Sequence, residues 1–374
     1  LLLVPTPDYV RMNYLYKLLI TNNKHFLCPG PTGTGKSVNI ADILQKGLED
    51  KYISVNITFS AQTSANQTQD AIDSKMDKRR RGVWGPPTGN KFVIFIDDLN
   101  MPKKEEYGAQ PPIELIRQWL DHKGWYDRKT LHFMTLEDLI FISAMGPPGG
   151  GRSVITPRFQ RHFNVIAYTQ LEDEAVIHIF KTILEAFLSR FNDIVKEIVE
   201  PLTTSTLQVY KSVIAEMLPT PTKSHYTFNL RDIAKVFQGI CSVSPKSANT
   251  QVYMIRLWCH ENIRVFGDRL VSTEDRTWLK DLLKTQSKDS FGKEPEEIFD
   301  KDRIIFGDYL KGIDIDPRIY DEVADTKDFI SKIEGYLEDY NSDATHPMKL
   351  IMFLDACDHV SRICRILRQP SGNA

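Results

Sequence analysis

Residues 30–37 read GPTGTGKS and follow, one residue on, a short apolar run, HFLC at 25–28. Few octapeptides constrain a fold as tightly. The glycines let successive backbone N–H groups point to one place, and the following KSVNIADILQKGL has a helical pattern whose N-terminus adds to the same positive field. Strand, loop and helix are therefore expected in that order, with the loop facing phosphate. Gly30, Pro31, Thr32, Gly33, Thr34 and Gly35 form the cradle. Lys36 supplies a mobile point charge for the outer phosphates, and Ser37 a hydroxyl for Mg²⁺. A second glycine-rich stretch, GGGR at 149–152, has no lysine and no such context, and is read as a flexible loop.

Four more apolar runs join HFLC: YISVNITF (52–59), KFVIFIDD (91–98), DLIFISAM (138–145) and FNVIAY (163–168). KFVIFIDD is almost continuously apolar, the mark of a strand buried on both faces. Helical patterns lie between the runs: KSVNIADILQKGL, ANQTQDAIDSKMDKRR and PPIELIRQWLDHK. Such alternation implies an α/β fold, a parallel five-stranded sheet with helices on both faces. The run Lys78–Arg81 is read as a solvated helix end. KFVIFIDD ends in two carboxylates at the edge where such sheets bind ligands. Asp97 is the candidate Mg²⁺ ligand. Asp98 stands where hydrolytic P-loop enzymes place a general base for water, but it is one methylene shorter than Glu. A misplacement of about 1 Å can cost about 100-fold in rate.

Beyond residue 168 the period becomes helical. Val176, Ile179, Phe180, Ile183, Leu184 and Phe187 share one helix face, and FNLRDIAKVFQGI starts at a candidate N-cap, Asn229. The expected organisation is an α/β domain over 1–168, a helical lid over 169–271, a mixed extension of short helices and loops over 272–345, and a final helix from His346 over 346–374. The net charge of −2 offers nothing to a nucleic-acid or acidic-membrane partner. No apolar run reaches the roughly 20 residues of a membrane helix. Five cysteines, odd in number and without a CxxC pair, point to a reducing compartment. No secretory leader is read at the start. The opening LLLVPTPDYV and the closing RQPSGNA are both read as cuts within something longer.

The segments GPTGTGKS, NITFSAQTSANQTQDAI, FIDDLNMP, YGAQPPIELIRQW, SAMGPPGGGR and TPRFQRHF, in this order and spacing, closely resemble the third AAA+ module of axonemal dynein heavy chains. The resemblance runs essentially end to end, and PSGNA is similar to the start of the next module's phosphate loop. It implies an AAA+ P-loop NTPase fold followed by a helical lid, binding ATP or ADP with Mg²⁺. Lys36 and Ser37 match the phosphate-loop lysine and hydroxyl, and Asp97 the metal-binding aspartate. Asp98 replaces the glutamate of active members, and Gly146 falls where a polar sensor, often Asn, is usual. Arg158 matches an arginine finger acting in trans on the preceding module, with Arg161 a weaker candidate. Arg231 matches the lid arginine that touches the phosphates. Pro5 and Thr6 match contacts of the adenine pocket.

The resemblance also implies neighbouring AAA+ modules of the same chain and other axonemal dynein chains as partners, in the cytoplasm, on the cytoskeleton and in the ciliary axoneme. Microtubules would be met only through a coiled-coil stalk, and no long heptad run is present here. The departures at Asp98 and Gly146, and a finger owed by the following module, imply a regulatory nucleotide site with slow hydrolysis at most. A nucleotide-bound spacer that never hydrolyses stays open as the alternative. A free-standing kinase would need an acceptor site under a mobile lid, a GTPase often an N-K-x-D tetrapeptide, and a nucleic-acid motor a basic, aromatic-laced surface. The sequence offers none of these.

Overall fold

The computed structural model describes residues 3–301, 303–312, 318–369 and 372. Most of PSGNA therefore lies outside the described residues. The chain divides into two compact units, one ending at Glu172 and the other beginning at Asp173.

The first unit is built on five parallel strands: β1 (Phe26–Pro29), β2 (Tyr52–Thr58), β3 (Lys91–Asp97), β4 (Leu139–Met145) and β5 (Asn164–Val165). Their order across the sheet is β2-β3-β4-β1-β5. Successive side chains of a strand face opposite ways, and β3 shows the consequence. Phe92, Ile94 and Ile96 enter one apolar cluster with Trp119, Phe141 and Phe159, while Val93 and Phe95 enter another with Tyr16, Phe26 and Ile142. Both faces are thus buried, which is why the run lacks polar alternation. β5 is shorter than FNVIAY suggests, yet its pairing continues through Ile166 N–H to Leu27 O and Tyr168 N–H to Pro29 O.

The helix expected over ANQTQDAIDSKMDKRR covers only Ala65–Asp73, opened by a capping box in which Ser64 and Gln67 satisfy each other's backbone N–H. Lys78–Arg81 is therefore not a helix end. Asp77–Arg80 is a strand that turns at Gly82 into Val83–Gly85 and joins Phe133–Leu136 and Gly124–Tyr126 in a second, four-stranded sheet. The basic side chains find acids of the chain itself: Arg79 pairs with Asp138, and Arg80 with Glu137 at 2.8 Å.

The second unit is helical. Val176, Phe180, Leu184 and Leu188 of Asp173–Leu188 are buried at helical spacing, and Phe180 stacks on Phe237 at 4.6 Å. Asn229 caps Leu230–Ile240, with its side chain accepting from Arg231 N–H. Where short helices were expected, Thr273–Phe291 and Thr326–Asp343 run 19 and 18 residues. Their exposed faces are charged, so their periodicity is weak in the sequence. The last helix starts at Leu354, not His346. Pro347 cannot donate a helical hydrogen bond, and the Asn341 side chain engages both backbone groups of Met348, holding that stretch out of helix. Ile305, Tyr309, Val323, Phe329, Ile333 and Cys357 form a core beneath these helices. All five cysteines are free thiols, and among the described residues no helix is long and apolar enough to cross a membrane.

Candidate nucleotide site

β1, β3 and β4 are neighbours in the sheet, so their carboxyl ends bring three loops together. Pro29 lies opposite Met145, and Gly30 N–H donates to Met145 O at 3.2 Å. On the other side of β4, Leu99 N–H donates to Ala144 O at 3.0 Å. GPTGTGKS, Asp97–Asn100 and the segment after Met145 therefore share one edge.

Gly35 has φ 81 where the loop enters the helix Lys36–Asp42, a conformation that a Cβ would strain. Lys36 is only 8 % exposed. Its Nζ donates to Gly30 O at 2.8 Å and to Pro31 O at 2.6 Å, and lies 3.4 Å from Thr34 Oγ1. The ammonium is thus curled over the loop it would serve. Behind the loop, Tyr16 OH meets Cys28 Sγ and Tyr168 OH, and Asn39 Nδ2 donates to Tyr168 OH at 3.1 Å. Burial pushes the Cys28 thiol and the Tyr168 phenol each up to about 12, so this supporting layer is uncharged.

Asp97 Oδ1 accepts the N–H of Asp98 at 3.0 Å. Asp98 has φ 52, in the left-handed region. Its Oδ1 is 3.4 Å from Nη2 of Arg152. Asn100 is fully buried, and its Nδ2 donates to Gly146 O at 2.9 Å and Ser153 O at 3.2 Å, while Ser153 N–H returns to Asn100 O at 3.0 Å. GGGR is accordingly no loose loop. Gly149 and Arg152 exchange backbone hydrogen bonds at 3.0 and 3.1 Å, closing a tight turn. Sequence reasoning missed both Asn100 and Arg152, although each lies in a segment whose pattern stands out, FIDDLNMP and GGGR. A buried polar residue is signalled only by its partners, and these are remote in the chain.

In the same unit, Thr6 Oγ1 caps the helix Pro7–Thr21 by accepting Tyr9 N–H at 3.2 Å, Pro5 beside it is exposed, and Tyr9 OH donates to Asp42 of the helix behind the phosphate loop. Arg158 opens the short helix Pro157–Gln160 and donates to Glu114 at 2.7 Å, with its side chain 56 % exposed. Burial alone would raise the Glu114 carboxyl, but Arg117 and Arg158 outweigh it and hold the group below the usual range. Arg161 pairs with Asp121. In the second unit, Arg231 is exposed at the start of Leu230–Ile240 and lines a cavity of about 880 Å³ with Arg264, Arg269, Arg362 and Arg365.

Ser37 and Asp97 are the hard oxygen donors of this edge. A hydroxyl and a single carboxylate suit Mg²⁺, which takes its remaining ligands from phosphate and water. Among the described residues no group of three or more His, Cys, Asp or Glu side chains could hold a metal.

Residues 1–171 match the family described as the P-loop containing dynein motor region, and residues 179–276 the dynein heavy chain ATPase lid domain. All of the chain aligns with dynein axonemal heavy chain 1 of Homo sapiens, at 49 % identity over 390 residues, 9 % of that protein. It aligns equally fully with dynein axonemal heavy chain 12 of Mus musculus at 44 %, covering 13 % of it, and with dynein axonemal heavy chain 3 of Mus musculus at 43 %, covering 9 %. The sheet and the helices after it are an AAA+ P-loop fold with its lid. The chain spans about a tenth of the length of these relatives.

Proposed function

The chain is homologous over its whole length to axonemal dynein heavy chains, and from that premise we propose that it is a regulatory ATP/ADP-binding module, the third of the motor ring. Its parent is then a microtubule motor of the ciliary axoneme, and its partners are the adjoining AAA+ modules of the same chain and other axonemal dynein chains. Microtubules would be reached through a stalk outside this stretch.

One observation carries the reading. A complete phosphate loop stands beside a catalytic edge whose carboxylate is short, turned into the left-handed region and faced by an arginine, Asp98 with Arg152. Nucleotide affinity needs only the first of these. Fast hydrolysis needs a well-aimed base and a polar group to orient water. Asp98 is a poorly reaching base, and Gly146 has no side chain. Mg²⁺, held by Ser37 and Asp97 with the phosphates, would neutralise charge on the phosphate oxygens. Lys36 would leave the Gly30 and Pro31 carbonyls for the outer phosphates. Arg231 would add charge from the lid, and Pro5 and Thr6 would border the base.

The alternative of a spacer that never hydrolyses makes the same binding prediction and differs in turnover. Phosphate release by the 374-residue chain should lie below about 0.01 per second, against about 1 to 1000 per second for ordinary enzymes. Lys36→Ala should lower ATP affinity at least about tenfold, roughly 1.4 kcal/mol, in titration calorimetry. Turnover near about 1 per second, abolished by Lys36→Ala, would overturn the regulatory reading. Unchanged affinity in Lys36→Ala would overturn the nucleotide site itself.

A further inference from the structure

The space beside Gly146 is filled by Arg152, which returns to it across a glycine turn. A Cβ at Gly146 would meet Nε of Arg152 at 2.7 Å and its Cδ at 2.8 Å. The guanidinium stem therefore lies directly against the glycine at the position that lacks a sensor side chain. Two devices put it there. Gly149, Gly150 and Gly151 all have positive φ, at 118, 57 and 87, a path open to glycine, and they fold the chain back in a tight turn. Asn100 then holds Gly146 and Ser153, on either side of the turn, against the loop that carries Asp98.

Among the described residues the donors of Arg152 are largely unspent. A guanidinium offers five N–H groups in a planar fork and pairs best with two oxygens at once. Arg152 reaches Asp98 with a single nitrogen at 3.4 Å, a long contact for a charged pair. Its Nε is buried without a hydrogen-bond partner among the described residues. A buried donor left unmet costs free energy, so an acceptor entering at this edge gains from it. The acceptor chemistry that fits is a phosphoryl group with several anionic oxygens.

We propose that Arg152 is a binding and positioning residue for the terminal phosphate of a nucleoside triphosphate, exchanging Asp98 for that phosphate when the triphosphate binds. Arg152 thus takes over in cis the place left by the missing side chain at Gly146, and it reports the third phosphate to Asp98. With a diphosphate bound, the guanidinium stays on Asp98. With a triphosphate bound, Asp98 is released toward water. The inference rests on the proposed nucleotide site and adds to it a triphosphate-specific contact.

The test compares two probes, ATPγS and ADP, each with Mg²⁺, by calorimetry on the 374-residue chain. Arg152→Ala should weaken ATPγS about tenfold while ADP stays within about twofold, and Arg152→Lys should recover part of the loss as a point charge without the fork. Equal losses for both probes, or no loss for either, would overturn the proposal. If Arg152→Ala melts below the assay temperature, the same comparison is read from Arg152→Lys and Arg152→Gln. Lys36→Ala separates the nucleotide site from the Arg152 contact. If it binds both probes like the unaltered chain, the site reading fails. If it loses both while Arg152→Ala loses neither, the site stands and the Arg152 assignment falls.

Discussion

At the start of β1, His25 takes part in the sheet through its ring. Its Nδ1 accepts the N–H of Phe141 at 3.0 Å, and the ring lies edge-on to Trp119 at 5.6 Å. The neutral tautomer is therefore required. Burial, then the charge of Lys123, pushes the imidazole down to about 4. The unfolded chain binds this proton near about 6.5, so between about 6.5 and about 4 it holds more protons than the folded one. Stability from His25 is fully present above about 6.5 and is lost as pH falls toward about 4, by at most about 1.4 kcal/mol per pH unit. His260, pushed well down chiefly by burial in the lid, adds the same sign. His25→Asn keeps an acceptor for Phe141 without a titrating ring. It should flatten the fall in urea stability between about pH 6.5 and about pH 5, leaving the part due to His260 and other groups. An unchanged slope would show that His25 is not the titrating group.

Between elements, the bolt is Asn100. It joins the turn after β3 to the segment after β4 through two donated bonds and one accepted bond. Asn100→Ala would leave the buried Gly146 carbonyl and the half-buried Ser153 carbonyl without this donor, a cost of about 1–3 kcal/mol. Hydrogen exchange should quicken at 149–153 before it quickens in β3, because the strand keeps its own ladder to β2 and β4. Uniform quickening throughout the unit would mean that Asn100 supports the core rather than the loop. The KRRR run belongs to the same scale. As four consecutive residues it has no helical or strand period, and only the antiparallel partner Val83–Gly85 makes its first three residues part of a strand.

For the whole molecule, the phosphate loop, the carboxylates, Arg152 and Arg158 all belong to the first unit, and Arg231 to the second. Arg158 would act on neither. Its ion pair with Glu114 is more than half exposed on the arginine side, and such pairs contribute about 0–1 kcal/mol. Arg158→Ala should therefore melt within about 2 °C of the unaltered chain, as expected for a small change in a domain of this size, and bind ATP as before. In a longer heavy-chain piece that includes the preceding module, the same substitution should slow phosphate release at that module's site. A loss of about tenfold in this chain's own ATP affinity would place the arginine in its own site and end the trans assignment.

The phosphate loop and the sheet were legible because both are written in short-range terms. Gly35 must be glycine for local backbone reasons, and Phe92 to Ile96 must be apolar throughout because neighbours cover both faces of β3. Lys36, Ser37, Asp97 and Asp98 follow from position relative to those elements. The second sheet, the late start of the last helix and the true role of GGGR were not legible. The first and last depend on partners far along the chain, Val83 beside Thr135 and Arg152 on Asp98, and the second on a side-chain clasp, Asn341 on Met348, that no periodicity signals. Periodicity reports how much of a segment is buried and on which face, but it is silent on what covers that face. A buried polar or charged side chain is stable only when folding delivers its partner, so where Asn100 and Arg152 point was decided by the tertiary structure alone.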